Sequence, residues 1–583
     1  MSELNYLMLD EQNSNFFLQQ LQSRLVFLAT VDQGKENIPP TLLAGLKQLI
    51  ALLYTAQNSG DAVVSMASTA INIGELLTAF PNLLSREGDN RPTPMIVFAD
   101  FVAFRRDWQQ LSDTAAYLRD TSKRQQHMLF SVPDRLAESL SVVQWQLADG
   151  SPLSDEQKLA AISAAVLPFC LITGGAGTGK TTTLAKALEL CLLQNPDCKI
   201  ELAAPTGKAA HRLNEALAAQ VDSLHPSVRE PLKQLQAKTL HRVLGISEHS
   251  DRPFYNAGNP LLCQVLVVDE ASMVSGDLFA YIRQAVLPDT GIILLGDANQ
   301  LPAINATAFF TEISRLPVGY SQGFCQLVNP YLNRTIKAKS APLVNAICPL
   351  SVSRRFAKKS LIEQVADAIL ARQAEKIRVL LGQHFVALSA VGTHFIEQLA
   401  GHYPREKIAL QNALQHRIIL CANRRGSFGS AFINRYLDAV FRQILGKPQA
   451  VWYQGRRILI EQNDYQLGIN NGDIGRCEWH KDKGWYIVFD DGRFLPVNHL
   501  AEEKYSLAFA ITIHKSQGSE YPHVDVVLDR FDQQHPNRLI DKALLYTAVT
   551  RAKDSLTLCA DAELLDYALT KSDQPLSPLS VLL

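Results

Sequence analysis

The run at residues 171–183, LITGGAGTGKTTT, carries the most specific chemistry in the chain. Gly174, four residues, then Gly179, Lys180 and Thr181 satisfy G-x-x-x-x-G-K-[ST], with a short apolar strand before it and helical spacing (Leu184, Leu188, Cys191, Leu192) after it. Phosphate binding explains the residue types. Small residues through Gly174, Gly175, Ala176, Gly177, Thr178 and Gly179 let backbone N–H groups curl around phosphate oxygens, and the helix opening at Lys180, Thr181 and Thr182 adds its positive dipole end. Lys180 matches phosphate charge, and the Thr181 hydroxyl suits Mg²⁺. A nucleoside triphosphate, ATP, is the ligand expected here.

A second segment, QVLVVDEAS at residues 264–272, is an apolar run ending in two carboxylates, as a buried parallel strand does where it opens into a site. Asp269 is placed to hold Mg²⁺ and Glu270 to orient or deprotonate an attacking water. A third apolar run, IILLGDANQ at 292–300, ends in Gln300, a candidate γ-phosphate sensor. Gln157 has two readings of equal weight. Ser154-Asp-Glu-Gln157 has the form of a capping box, in which Gln157 bonds the Ser154 backbone, yet a glutamine amide can also read an adenine edge. The strand end at ELAAPTGKAA carries Thr206 and Lys208 to a surface suited to phosphate contacts along a nucleic-acid strand.

Length and composition bound what surrounds these residues. At 583 residues the chain exceeds one ordinary core, and three or four domains are expected. With Lys+Arg 56 against Asp+Glu 57, a broadly basic nucleic-acid coat is excluded, while a local basic groove is not. Nine singly scattered cysteines without a C-x-x-C pair read as reduced core thiols, which fits a cytoplasmic protein. The acidic start MSELNYLMLDEQ lacks a basic leader region, and the longest apolar runs fall short of a membrane span.

Leucine-rich helical spacing in the first part predicts a compact helical N-terminal domain over 1–120, its apolar stripes serving as core or as a partner-docking face. The turn-rich LADGSPLS at 147–154 opens the nucleotide unit, expected over 121–345. The chain then starts again. Strands at 417–422, 524–528 and 556–560 with intervening helices imply a second α/β unit over 346–583. Inside it, short β-rich runs separated by Asn-Gly and Asp-Gly read as hairpins of a small inserted β-barrel at about 447–503.

In order and spacing, GGAGTGKTT, APTGKAA, TLHRVLG, VVDEASMV, GDANQL, the SRRF cluster, IHKSQGSE and YTAVTRA resemble the motifs of superfamily 1 helicases that move 5′ to 3′, and among them the RecD family of exodeoxyribonuclease V subunits. The NDYQLGINNGDIG stretch also resembles that family, and the similarity runs from about Ser154 to the C-terminus. It implies an α/β fold of tandem RecA-like P-loop motors, with the inserted barrel SH3-like. It gives Lys180, Asp269, Glu270 and Gln300 catalytic roles, Gln157 and Glu520 nucleotide contacts, and Arg355 and Arg551 the part of arginine fingers reaching from the second motor. Thr206, Lys208 and His241 on one motor, and Thr512, His514 and Lys515 on the other, would touch DNA. The departures are Asn305, Ala306 and Arg354, none at a catalytic position.

Implied partners are single-stranded DNA, duplex DNA ends, and RecB-like and RecC-like subunits of a heterotrimer, with no membrane. The alternatives are a translocase that separates no strands, for which the segment 221–238 is the place to seek a wedge, an RNA motor, and a nuclease. For the last, no P-D followed by (D/E)-x-K emerges, and cleavage is expected of a partner.

Overall fold

The computed structural model describes residues 19–25, 38–58, 62–128, 134–147, 149–247, 250, 252–302, 309–352, 360–388, 394–464, 466–490, 492–529, 540–570 and 578–583. Four sheets organise them.

The first sheet has the order β1-β4-β3-β2, built from β1 Val64–Ser65, β2 Leu84–Arg86, β3 Met95–Phe98 and β4 Phe101–Phe104. The helix Pro40–Asn58 lays Leu46, Leu49 and Leu53 against Leu84, Met95 and Val102 of these strands. The N-terminal part is therefore α+β, not helical as its leucine spacing suggests. The helical stripe is real, but its partner is a sheet whose strands are too short to show alternation. The expected boundary at residue 120 also falls inside one continuous helix, Arg105–Met128, whose Ala115 and Leu118 are buried in the core of the next unit.

That unit is a six-stranded parallel sheet, β10-β5-β9-β8-β6-β7. Its strands are β5 Phe169–Gly174, β6 Ile200–Ala204, β7 Lys238–Thr239, β8 Val265–Val268, β9 Gly291–Gly296 and β10 Ile347–Leu350. Successive residues face opposite layers: Ile293 and Leu295 pack with the helix Lys180–Gln194, while Ile292 and Leu294 pack with Phe279 and Phe309. Burial on both faces is why these strands read as unbroken apolar runs. The expected boundary at 345/346 is corrected as well, because β10 pairs with β5 and belongs to this six-stranded parallel sheet. The last helix, Pro578–Leu582, also returns to it, burying Leu579 in the same core.

The second parallel sheet has five strands, β11-β20-β19-β12-β18, from β11 Phe385–Val386, β12 Arg417–Cys421, β18 Ala510–Thr512, β19 Tyr521–Val527 and β20 Ala552–Cys559. Between β12 and β18 lies an antiparallel five-stranded sheet of β13 Arg457–Ile460, β14 Ile474–His480, β15 Gly484–Phe489, β16 Phe494–Pro496 and β17 Tyr505–Leu507, in the order β16-β15-β14-β13-β17. It holds its own core, including Ile458, Cys477, Ile487 and Phe489. Gly492 of the Asp-Gly pair takes a positive φ of 82° in the β15–β16 turn, as that dipeptide suggests. The sheet runs to Leu507, past the expected limit of 503. Among the described residues no helix is long and apolar enough to cross a membrane.

Candidate nucleotide site between two motors

Strands β5, β9 and β8 are neighbours, so their C-terminal ends deliver three polar segments to one end of the six-stranded parallel sheet: the phosphate loop, Asp297 to Gln300, and Asp269-Glu270. The loop closes tightly on the helix Lys180–Gln194. Gly179, at its N-cap, has φ +82°, and a β-carbon there would lie 2.3 Å from Gln157 Nε2, so any other residue is strained and must displace that amide. Lys180 Nζ lies within the loop and donates to the carbonyls of Gly174 at 2.7 Å and Gly175 at 3.1 Å. Thr178 Oγ1 donates to Gly175 O at 2.9 Å.

Gln157 is engaged as the capping-box reading expects, and it also bonds the phosphate loop. It completes the capping box, with Ser154 N donating to Oε1 at 3.0 Å and its own N–H donating to Ser154 Oγ at 3.2 Å, while Nε2 donates to Thr178 O at 3.3 Å. The cap of the helix Asp155–Val166 is thereby tied to the phosphate loop. With donor and acceptor both engaged, the buried amide is not presented as a free adenine-reading edge.

Asp269 sits in the acidic end of β8, where burial first and the Glu270 charge second push its carboxyl up to about 6, against the pull of Lys180 and Arg212. Glu270 adopts a left-handed backbone, φ 49° and ψ 39°, a conformation that costs a non-glycine residue about 1–2 kcal/mol and marks a functional turn. Asp297 is buried and held above the usual carboxylate range chiefly by that burial. Its Oδ1 accepts from Asn299 N at 3.0 Å, and its Oδ2 accepts from Gln300 Nε2 at 3.3 Å.

The second motor forms the opposite wall. A cavity of about 380 Å³ is lined by Gly174, Gly175, Ala176 and Thr178 on one side and by Tyr546, Thr550 and the helix Leu361–Leu370 on the other. Of the two expected arginine fingers, Arg355 lies outside the described residues, as do Asn305, Ala306 and Arg354. Arg551 is buried with its guanidinium turned into the second motor, donating to Thr547 O and Ser519 O at 3.1 Å each, so the structure does not bring it to the loop. Glu520 lines a different cleft, of about 360 Å³, where it pairs with Arg212 of the first motor at 3.0 Å.

The residues expected to touch DNA fall on both motors. Thr206 caps the helix Gly207–Ala218, its Oγ1 accepting from Ala209 N. Lys208 bonds Asp490 of the inserted sheet at 3.1 Å and lies over the Tyr521 ring. His241 is exposed on the short helix Leu240–Leu244. Thr512 and Lys515 line a pocket of about 200 Å³ with Arg424, and Lys515 pairs with Glu461. The neighbouring His514 is half-buried, and that burial lowers its basicity. The segment 221–238 folds down as the helix Pro226–Gln234, with Val228 and Leu232 in the first motor's core.

Sequence reasoning missed Asp297, Tyr546, Thr547, Gln517 and Arg212, all of which bond across the motors or hold the site. Each lies inside a quoted motif or beside one, and motif spacing carries no signal for contacts between separate sheets.

A phosphate loop, an acidic strand end and a polar third strand end on one parallel sheet, faced by a second parallel sheet, define a two-motor P-loop nucleotide hydrolase of the helicase class. Residues 157–306 match the family model of an AAA domain, and residues 507–559 that of a UvrD-like helicase C-terminal domain. The chain is 31% identical over 540 residues to RecBCD enzyme subunit RecD of Haemophilus influenzae, covering 85% of this chain and 82% of the relative. It is 35% identical over 418 residues to RecBCD enzyme subunit RecD of Mycolicibacterium smegmatis, covering 70% and 71%. A crystal structure of Bacteroides Pif1 bound to ssDNA aligns with 18% identity and a TM-score of 0.37, covering 70% of this chain and 93% of that one. The chain belongs to the RecD family.

Proposed function

We propose that this chain is an ATP-dependent DNA helicase that moves 5′ to 3′ along a single strand, as the RecD-like subunit of a heterotrimeric helicase–nuclease processing double-strand DNA ends for recombinational repair. RecB-like and RecC-like subunits are its partners, the nuclease centre lies in one of them, and the assembly is cytoplasmic. The N-terminal α+β part is its docking part, and the inserted sheet is an SH3-like barrel. The observation that carries this reading is a phosphate-loop cavity walled by both motors, so that nucleotide occupancy and the spacing of the motors are linked.

The residues present suit ATP and Mg²⁺. Asp269 and Glu270 set two carboxylates side by side at the end of β8, and a divalent cation held by Asp269 and Thr181 would offset their charge. Mg²⁺ there would neutralise phosphate charge. Lys180 draws the phosphates into the loop, Glu270 orients the attacking water and takes its proton, and Gln300 would sense the γ-phosphate. Arg551 would have to swing toward the transferred phosphate as the cleft closes, and Arg355 is the second arginine expected to act on it. Thr206, Lys208 and His241 on one motor, and Thr512, His514 and Lys515 on the other, would then grip the strand alternately. A translocase without strand separation is the second reading, favoured by the packing of Val228 and Leu232, which holds the helix Pro226–Gln234 against the first motor's core.

The test is unwinding by the purified chain of duplexes bearing a 5′ or a 3′ single-stranded tail, with Lys180→Gln as control. Unwinding from the 5′ tail alone, lost in the control, supports the helicase. Translocation without unwinding supports the second reading, and unwinding from the 3′ tail refutes the polarity.

A further inference from the structure

The contact between the motors is concentrated on one turn of helix and one loop. The helix Lys542–Val549 of the second motor sets Tyr546 and Thr547 against the Asp297–Leu301 loop of the first. Tyr546 Oη donates to Asp297 Oδ2 at 3.2 Å, the same oxygen that accepts from Gln300 Nε2 at 3.3 Å. One residue beyond Gln300, Leu301 N donates to Thr547 Oγ1 at 2.8 Å, and Leu301 O accepts from Gln517 Nε2 at 2.9 Å. Gln300 is thus bracketed on both sides by bonds that reach the second motor. A β-carbon on Gly175 would lie 3.0 Å from Tyr546 Oη, so the phenol also rests directly on the phosphate loop.

Asp297, Tyr546 and Thr547 are all buried, at 1%, 4% and 0% exposure, so water does not replace these partners cheaply while the motors stay together. The same helix leads into Arg551, whose Nε donates to Thr547 O at 3.1 Å. Sensor and arginine therefore share one polar network, with Tyr546 also packed on the phosphate loop, and its members on the two sheets separate whenever the motors part.

We propose that Tyr546 is a positioning residue for ATP hydrolysis: through Asp297 Oδ2 its hydroxyl fixes the Gln300 amide, so that the γ-phosphate sensor of the first motor is ordered only when the second motor is in place. This rests on reading the cavity as an ATP site. Tyr546 does not act on the reacting atoms itself. Its effect falls on the rate of the bound state and not on nucleotide affinity, which the phosphate loop supplies. Asp297 is the shared acceptor, and its buried charge is what makes the tyrosine bond worth keeping.

The test is steady-state ATP hydrolysis by the full chain with saturating single-stranded DNA. Tyr546→Phe removes one oxygen and keeps the ring. The expected result is a kcat lowered about tenfold with KM for ATP within about twofold, and no further loss when Tyr546→Phe is added to Gln300→Ala. Thr547→Val, nearly isosteric, should lower kcat in the same direction, and it replaces Tyr546→Phe should that variant fail to fold. An unchanged kcat in Tyr546→Phe, or losses from Tyr546→Phe and Gln300→Ala that multiply independently, would overturn the proposal. Wild-type hydrolysis by Lys180→Gln would overturn the ATP-site reading and the proposal with it. A dead Lys180→Gln beside an unaffected Tyr546→Phe overturns the proposal alone.

Discussion

Gly179→Ala is the substitution whose cost the structure prescribes in most detail. The left-handed φ of +82° costs an alanine about 1–2 kcal/mol. The added β-carbon, 2.3 Å from Gln157 Nε2, also displaces the amide from Thr178 O and strips the cap bond from Ser154 N. Leaving buried polar groups unpaired adds about 1–3 kcal/mol, so a total of roughly 2–5 kcal/mol is expected in the local stability of the loop and its helix. Native-state hydrogen exchange of peptides spanning 169–194 reads this locally, where global unfolding of a four-sheet chain would not. Removing the obstacle supplies the sharper test. In Gly179→Ala/Gln157→Ala the clash is gone, so the double variant should be more stable than the sum of the singles by at least about 1 kcal/mol. Additivity within about 0.5 kcal/mol would refute the claim that the glycine is required by the glutamine packed on it.

Three further outcomes follow from named contacts. Asp269 has a folded pKa of about 6 against an ordinary 3.8, so the folded state holds this proton more tightly than the unfolded one, and stability is full below 3.8 and is lost as pH rises through 6. In chelator, Asp269→Asn should therefore stabilise the chain at pH 8 by about 1–3 kcal/mol while abolishing hydrolysis, and the gain should vanish near pH 4; thermal melts at both values check it. Lys208→Ala should weaken single-stranded DNA binding and reduce the slope of log affinity against log salt by about 0.7, whereas Asp490→Asn, which frees Lys208 from its partner, should strengthen binding in the same titrations. Asp525 is fully buried and accepts from Arg417 Nη1 at 2.9 and 2.8 Å, while the Arg417 side chain stays one-fifth exposed, so Asp525→Ala should cost about 1–3 kcal/mol in exchange protection of β12 and β19 as the guanidinium loses its carboxylate and keeps part of its hydration.

What the sequence disclosed was what a local run of chain can encode. The phosphate loop, the acidic end of β8 and the unbroken apolar runs of the parallel strands are each written within some ten residues, because glycine conformation, strand burial and helix capping are local requirements. The Asp-Gly turn of the inserted sheet was legible for the same reason. The N-terminal sheet was not, since β1 has two residues and β2 three, too few for a period of two to rise above the leucines of the helix beside them. Nor was the membership of β10, whose pairing with β5 depends on a return of the chain across nearly two hundred residues. At the site, sequence placed Lys180, Asp269 and Gln300 just past the ends of apolar strands but could not foresee that Gln157 would serve both its cap and the loop, that Arg551 would turn inward, or that Lys208 would be held by Asp490.

The central claim is that hydrolysis in the cavity between the motors is coupled to a bound strand. Its most direct measurement is the rate of ATP hydrolysis by the purified chain with and without single-stranded DNA, beside Lys180→Gln. The account predicts strong stimulation by DNA in the unmodified chain and none in the variant. A rate indifferent to DNA, or a Lys180→Gln variant that hydrolyses ATP as fast as the unmodified chain, would contradict it.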